Sequence, residues 1–128
     1  MYAVFDRSRF PVVTITFTGE SSTEENFNRY LKETESLYEY KKRFSIIFDA
    51  RSASLPDLKH QKMQANWIKA NESRMKTYCA GTAYVIVNKA VRAILKMIFA
   101  LYPQPQPYKI FSDLASAEVW AREVLEKK

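Results

Sequence analysis

Few side chains in this sequence could carry chemistry, and their spacing limits what that chemistry could be. His60 is the single histidine and Cys79 the single cysteine among 128 residues. One of each, with scattered carboxylates, does not supply the three or four convergent ligands that zinc needs. A Ser/His/Asp triad needs its nucleophile on a sharp turn, and no Gly-x-Ser-x-Gly occurs, because Gly19 and Gly81 are the only glycines. The same scarcity excludes a Gly-rich phosphate loop. The expectation is therefore a non-enzyme with no catalytic residue, no metal ligands and no cofactor. His60 is expected on a helix surface, and Cys79 as a small apolar residue at a helix–strand junction.

Two charged groupings remain as binding candidates. Asp49 and Arg51 form a corner at the end of the apolar run Phe44-Ser45-Ile46-Ile47-Phe48. In open α/β sheets, ligands bind beyond the carboxyl ends of the strands, so an acid and a base there could hold a polar ligand. The competing role is structural, with Asp49 accepting from the following loop amides and pairing with Arg51. The second grouping is Lys59, Lys62, Lys69 and Arg74, one basic arc of a helix that could meet phosphates. No aromatic-interleaved basic strand and no recognition-helix signature accompanies it, so a solvated face is expected, not a nucleic-acid interface. The net charge of +6 is read the same way, as a soluble surface.

The elements that must position these residues follow from periodicity. Tyr2 to Asp6 reads as a strand. Val12 to Phe17 reads as a second, joined to it by a hairpin, with Val13, Ile15 and Phe17 on one face. Ser22-Thr23-Glu24-Glu25 is a helix start, a hydroxyl cap followed by acids that suit the helix dipole. Phe27, Tyr30, Leu31, Thr34, Leu37, Tyr38 and Lys41 then recur at helical spacing as a packed stripe. Phe44 to Asp49 is the central strand. Leu55-Pro56-Asp57 opens a second long helix, expected to run to about Lys76, with Leu58, Ala65, Ile68 and Met75 on its packed arc and Trp67 at the edge. Ala83 to Asn88 is the next strand, and Asn88 can cap the helix after it.

The helix from Ala90 to Leu101 is apolar over more than half its circumference, with only Arg92 and Lys96 expected in water. It is expected to be nearly buried or to touch a partner. Pro103, Pro105 and Pro107 make an extended link. Tyr108 to Phe111 is a last strand. Ser112 or Asp113 caps a final helix carrying Leu114, Ala117, Val119, Trp120, Val124 and Leu125, fraying at Glu126-Lys127-Lys128.

Strands alternating with helices indicate an α/β domain. With 47% hydrophobic residues the chain is globular, and its length suits one domain over residues 1–128. There is no run of 18 apolar residues to span a membrane. The first ten residues carry Asp6, Arg7 and Arg9 and lack the apolar core of a signal peptide, so a cytoplasmic protein is expected. A lone cysteine fits that reducing compartment.

The order β-β-α-β-α-β-α-β-α, together with particular residues, resembles the SpoIIAA-like family, the STAS/SEC14-type domains of bacteria. The matching pieces are the Val12 to Gly19 strand ending in glycine, the Phe48-Asp49-Ala50-Arg51 corner, the Trp67-Ile68-Lys69 segment and Arg92-Ala93-Ile94-Leu95. The resemblance covers essentially the whole chain and rests on the order and spacing of these pieces. It implies a right-handed βα superhelix, with a mostly parallel sheet and an antiparallel first strand. Its best-known members are regulatory anti-sigma-factor antagonists, with a phosphorylatable serine opening the helix after the central strand. Here that place reads Pro56-Asp57-Leu58-Lys59-His60; Leu58 and Lys59 stand where the serines would be, so a domain without the usual phosphoserine is expected. SEC14-type relatives bind lipids in an apolar cavity, but this short chain lacks the extra helices that would gate one.

Three functions follow as expectations, the last of them weak binding of anionic partners by the basic surface. The first is a regulatory domain acting through protein contacts. The second is a carrier or sensor of a lipid or other apolar molecule. The sheet offers a surface for either. If Val13, Ile15, Phe17, Phe44, Ile46, Phe48, Ala83, Val85 and Val87 face the crossover helices, the opposite face holds Val12, Thr14, Thr16, Ser45, Ile47, Tyr84 and Ile86. Ile47, Tyr84 and Ile86 would form an apolar patch there, open to a ligand, to a second copy in a homodimer or to a covering helix.

Overall fold

The computed structural model describes residues 1–54, 56–101 and 103–127. Five strands form one sheet in the order β1-β2-β3-β4-β5: Ala3–Asp6, Val12–Phe17, Phe44–Asp49, Cys79–Val85 and Tyr108–Phe111. β1 pairs antiparallel with β2, and every later pair is parallel. Each new strand is added at the same edge. Right-handed crossovers therefore place all the connecting helices on one face. These helices are α1 (Glu24–Ser36), α2 (Leu58–Ala70), α3 (Glu72–Tyr78) and α4 (Lys89–Leu101). The last helix, α5 (Leu114–Glu126), follows the final strand and is free to cross the other face, where it packs on β3, β4 and β5.

Local chemistry sets the helix starts. The Thr23 hydroxyl accepts from Asn26 N at 3.0 Å, and Asn26 Oδ1 accepts from Thr23 N at 2.7 Å, a reciprocal cap. Asn88 Oδ1 accepts from Ala90 N at 2.8 Å to open α4, and Asp113 Oδ1 accepts from Ser116 N at 2.8 Å to open α5. At the other end of α5, Arg43 donates to Val124 O at 3.1 Å, a cation where the helix dipole favours one.

Several expectations need correction. The second long helix is two helices. Asn71 turns its side chain back on Trp67 O at 2.8 Å and leaves helical geometry (φ −109°, ψ 11°), so α2 stops there and α3 begins. Leu58 is exposed at the first turn of α2 instead of packed. The first helix ends at Ser36, and a 3₁₀ turn, Leu37–Tyr40, carries Leu37 and Tyr38 into the core. Lys41 lies past it in a left-handed conformation (φ 52°), exposed and off the packed stripe. Arg92 is half-buried, because its guanidinium donates to Ile86 O at 2.7 Å. Val119 of α5 faces solvent. Leu55 and Lys128, which bear on the start of the second helix and the fraying end of the last, lie outside the described residues.

The largest correction concerns β4. Ile47 is level with Ala83 and Phe48 with Tyr84. Tyr84 and Ile86 therefore belong with Ile15, Ile46 and Phe48 under the crossover helices, while Ala83 and Val85 join Val12 and Ile47 under α5. Val87 lies beyond the strand and is exposed. Alternation could not choose the phase, because both faces of β4 are apolar; pairing register decided it. Of the three occupants open for the Ile47 surface, the covering helix is the one present: Ala117 and Ala121 of α5 pack on it.

Candidate functional site: an apolar cavity beneath α4

Between the sheet and helices α1, α2 and α4 lies a partly open cavity of about 120 Å³. Its floor is a row of rings laid across three strands. Phe17 stacks on Phe48 at 6.0 Å, and Phe48 stacks on Tyr84 at 5.1 Å. Phe27 and Tyr30 of α1 close one end. Ile68 and Trp67 form the α2 wall, and Val91, Ile94, Leu95, Ile98 and Phe99 of α4 form the roof. α4 leans on α2, and this separation from the sheet leaves the space. α4, expected to be nearly buried or to touch a partner, is buried only at Ile98 and Phe99, while Val91, Ile94 and Leu95 are half-buried because they border the cavity instead of packing on the sheet. Its outer side leaves Met97 and Leu101 exposed.

Polar groups on the cavity wall are few and uncharged. Besides the Trp67 N–H and the hydroxyls of Tyr2, Tyr30, Tyr38 and Tyr84, they are Thr34, Ser54, Gln61, Gln64, Thr82, Gln104 and Gln106. Among the described lining residues none carries a formal charge at neutral pH. Burial pushes the Tyr30 and Tyr84 hydroxyls well above the ordinary phenol range, so they stay protonated donors. Tyr2 is pushed up to about 12 for the same reason.

The residues singled out in the sequence scatter. Trp67, Tyr84 and Ile86 meet at the cavity, although only Trp67 was placed on this side. Trp67 is pinned by its Nε1 donating to Glu35 Oε1 at 3.0 Å. Ile47 lies under α5. Asp49 and Arg51 form a two-pronged pair, with Arg51 Nε 2.9 Å from Oδ1 and a terminal nitrogen 2.8 Å from Oδ2. The Arg51 hydrogen bond holds the Asp49 carboxyl below its usual range, and Asp49 in turn raises Arg51. Neither residue lines the cavity.

The basic arc is dispersed in ion pairs and solvent. Lys59 lies 3.5 Å from Glu24 and Arg74 lies 3.7 Å from Glu35, while Lys62 and Lys69 are exposed.

His60 is a clear miss. It is buried, its Nδ1 is 2.6 Å from Ser22 Oγ, and its ring stacks on Phe27 at 5.2 Å. Helix periodicity alone could not reveal that a neighbouring helix supplies an aromatic face. Cys79 is buried at the start of β4, its thiol pushed up to about 12 by burial, which makes it a poor nucleophile. No group of three or more metal-ligating side chains occurs among the described residues, and no described helix is long and apolar enough to cross a membrane.

Sequence reasoning also missed Gln61, Gln104 and Gln106. The latter two alternate with the prolines of the segment before β5. A glutamine between prolines was the available signal, since an extended segment must aim alternate side chains at the core. No protein-family model matches the chain, and no curated protein matches it.

Proposed function

We propose that this chain is a non-catalytic binding domain for a small, uncharged, mainly apolar molecule held beneath α4. The cavity carries this reading. A well-packed core leaves few voids larger than a water molecule, yet here about 120 Å³ stays open under a helix. An apolar cavity of roughly 150 Å³ accommodates benzene, so the space suits a ring-sized ligand or one segment of a longer one. The antiparallel first strand followed by parallel βα units is in keeping with a SpoIIAA-like, STAS/SEC14-type domain, the family we propose for it; a lone cysteine is in keeping with the cytoplasm, the location we propose.

Toluene titration followed by the fluorescence of Trp67, in a Trp120→Phe background that silences the indole on the far face, tests the reading. A saturable change is expected, and Leu95→Phe, which takes up cavity space without adding an indole, should weaken it. No change up to the solubility of toluene would overturn it.

A second reading, regulation through protein contacts, has the exposed side chains Val87, Met97 and Leu101 in its favour. Native mass spectrometry of the purified protein separates the two. A co-purifying small molecule supports the carrier; a bound protein with an empty cavity supports the regulator.

A further inference from the structure

The chain has 20 basic and 14 acidic residues, and the excess is not spread evenly. Residues 73–112 hold six basic side chains, Arg74, Lys76, Lys89, Arg92, Lys96 and Lys109, and no acidic one. The rest of the chain is balanced at 14 and 14, so the whole net charge of +6 arises in that one stretch. At its centre is α4. Helical geometry, about 3.6 residues per turn, gathers Ala90, Ala93, Met97, Ala100 and Leu101 into one exposed arc, with Lys89 and Lys96 along its edge. Met97 is 45% and Leu101 61% exposed, and neither lines the cavity. Val87, just before the helix, and Tyr108, whose ring lies 4.8 Å from Phe99, are exposed as well. By contrast, α1, α2 and α3 each carry a cation paired with an acid. Arg29 meets Glu25 at 3.1 Å, Lys59 meets Glu24 at 3.5 Å and Arg74 meets Glu35 at 3.7 Å. Lys89 and Lys96 are in no ion pair among the described residues.

We propose that the outer face of α4 docks on an anionic lipid bilayer, with Met97 and Leu101 entering the headgroup boundary and Lys89 and Lys96 meeting the negative headgroups. A surface helix that sets apolar side chains beside lysines, with no acid among them, lies in that boundary through two additive terms. One is the apolar area it buries, and the other is the attraction of its cations to anionic lipid. A nucleic acid would use the lysines but leave Met97 and Leu101 in water. A protein interface is centred on a large aromatic or arginine anchor, whereas the centre of this arc is alanine. The docking does not depend on what the cavity holds, because it uses the opposite side of the helix.

The experiment is sedimentation of the full chain with two kinds of vesicle at about 0.1 M salt, phosphatidylcholine alone and phosphatidylcholine with about 30 mol% phosphatidylserine. Binding to the anionic vesicles is expected to be about tenfold tighter or more, and to weaken as salt rises. Lys89→Glu with Lys96→Glu should lower it about tenfold or more. Met97→Gln with Leu101→Gln should also lower it, with every charge retained. Lys32→Glu with Lys42→Glu, at exposed positions on α1 and in the turn before β3, makes the same change in net charge and should leave most of the binding. Circular dichroism checks that each variant folds, and the uncharged pair keeps the test open if a charge reversal does not. Equal losses in the two charge-reversed pairs would overturn the proposal, because net charge and not α4 would then be responsible. So would an unaltered affinity in the Met97 and Leu101 variant, or no binding to anionic vesicles. Duplex DNA binding that is lost with Lys89 and Lys96, in a protein that ignores vesicles, would overturn it in favour of a nucleic-acid partner.

Discussion

The two faces of the sheet are built on opposite plans. Beneath α5 the residues are small. Ala83 of β4 meets Ala117 and Ala121, and all three are fully buried. Gly81 lets the helix come closer still, because a Cβ there would stand 2.9 Å from the Trp120 ring and 3.2 Å from Val124. Ser45 Oγ donates to Ala121 O at 2.9 Å and ties strand to helix. On the other face the sheet presents Phe17, Phe48 and Tyr84, whose rings hold α4 away. One face thus reaches close packing with small side chains, while the other uses large rigid rings that cannot interdigitate fully and leaves a cavity. The closest helix–sheet approach is on the α5 side, and the open space is on the α4 side.

This contrast can be broken most sharply at Gly81. Gly81→Val should cost about 3 kcal/mol or more in urea unfolding, since the new side chain meets the Trp120 ring, Val124 and the Pro107 carbonyl at once. A cost under about 1 kcal/mol would mean that α5 is not seated closely. Matched enlargements then compare the faces directly. Ala117→Leu beneath α5 should lose about 1–3 kcal/mol, while Ala53→Leu at the cavity wall should lose less than about 1 kcal/mol because space awaits the new methyls. Equal costs would erase the distinction. Ser45→Ala should lose about 1 kcal/mol, one buried hydrogen bond to a helix carbonyl.

The smallest effect is electrostatic. Arg51 holds the Asp49 carboxyl below its usual range, so the pair adds stability that is fully present above the ordinary aspartate pKa and fades as pH falls through the folded-state value. Asp49→Asn should therefore lower stability at neutral pH and flatten the loss below about pH 4. A variant with an unchanged acid limb would show that the pair contributes nothing.

What the residues determined unaided is local. The caps at Thr23, Asn88 and Asp113, the hairpin of β1 with β2, the end of the central strand at Asp49 and the order of alternating elements all arise within a few residues of sequence, where hydrogen-bonding and periodicity operate. Even the side on which α1, α2 and α4 lie follows from the handedness of successive crossovers. Tertiary structure alone decided the rest. The face of β4 depended on its register against β3, because Tyr84-Val85-Ile86 is apolar in both phases. The burial of His60 depended on Phe27 arriving from another helix. The break at Asn71 came from a side chain folding back onto Trp67 O in place of the backbone. The cavity is written in no single element. It is the gap left where aromatic rings from three strands meet a helix propped on its neighbour, and such a gap exists only once those distant segments have been assembled.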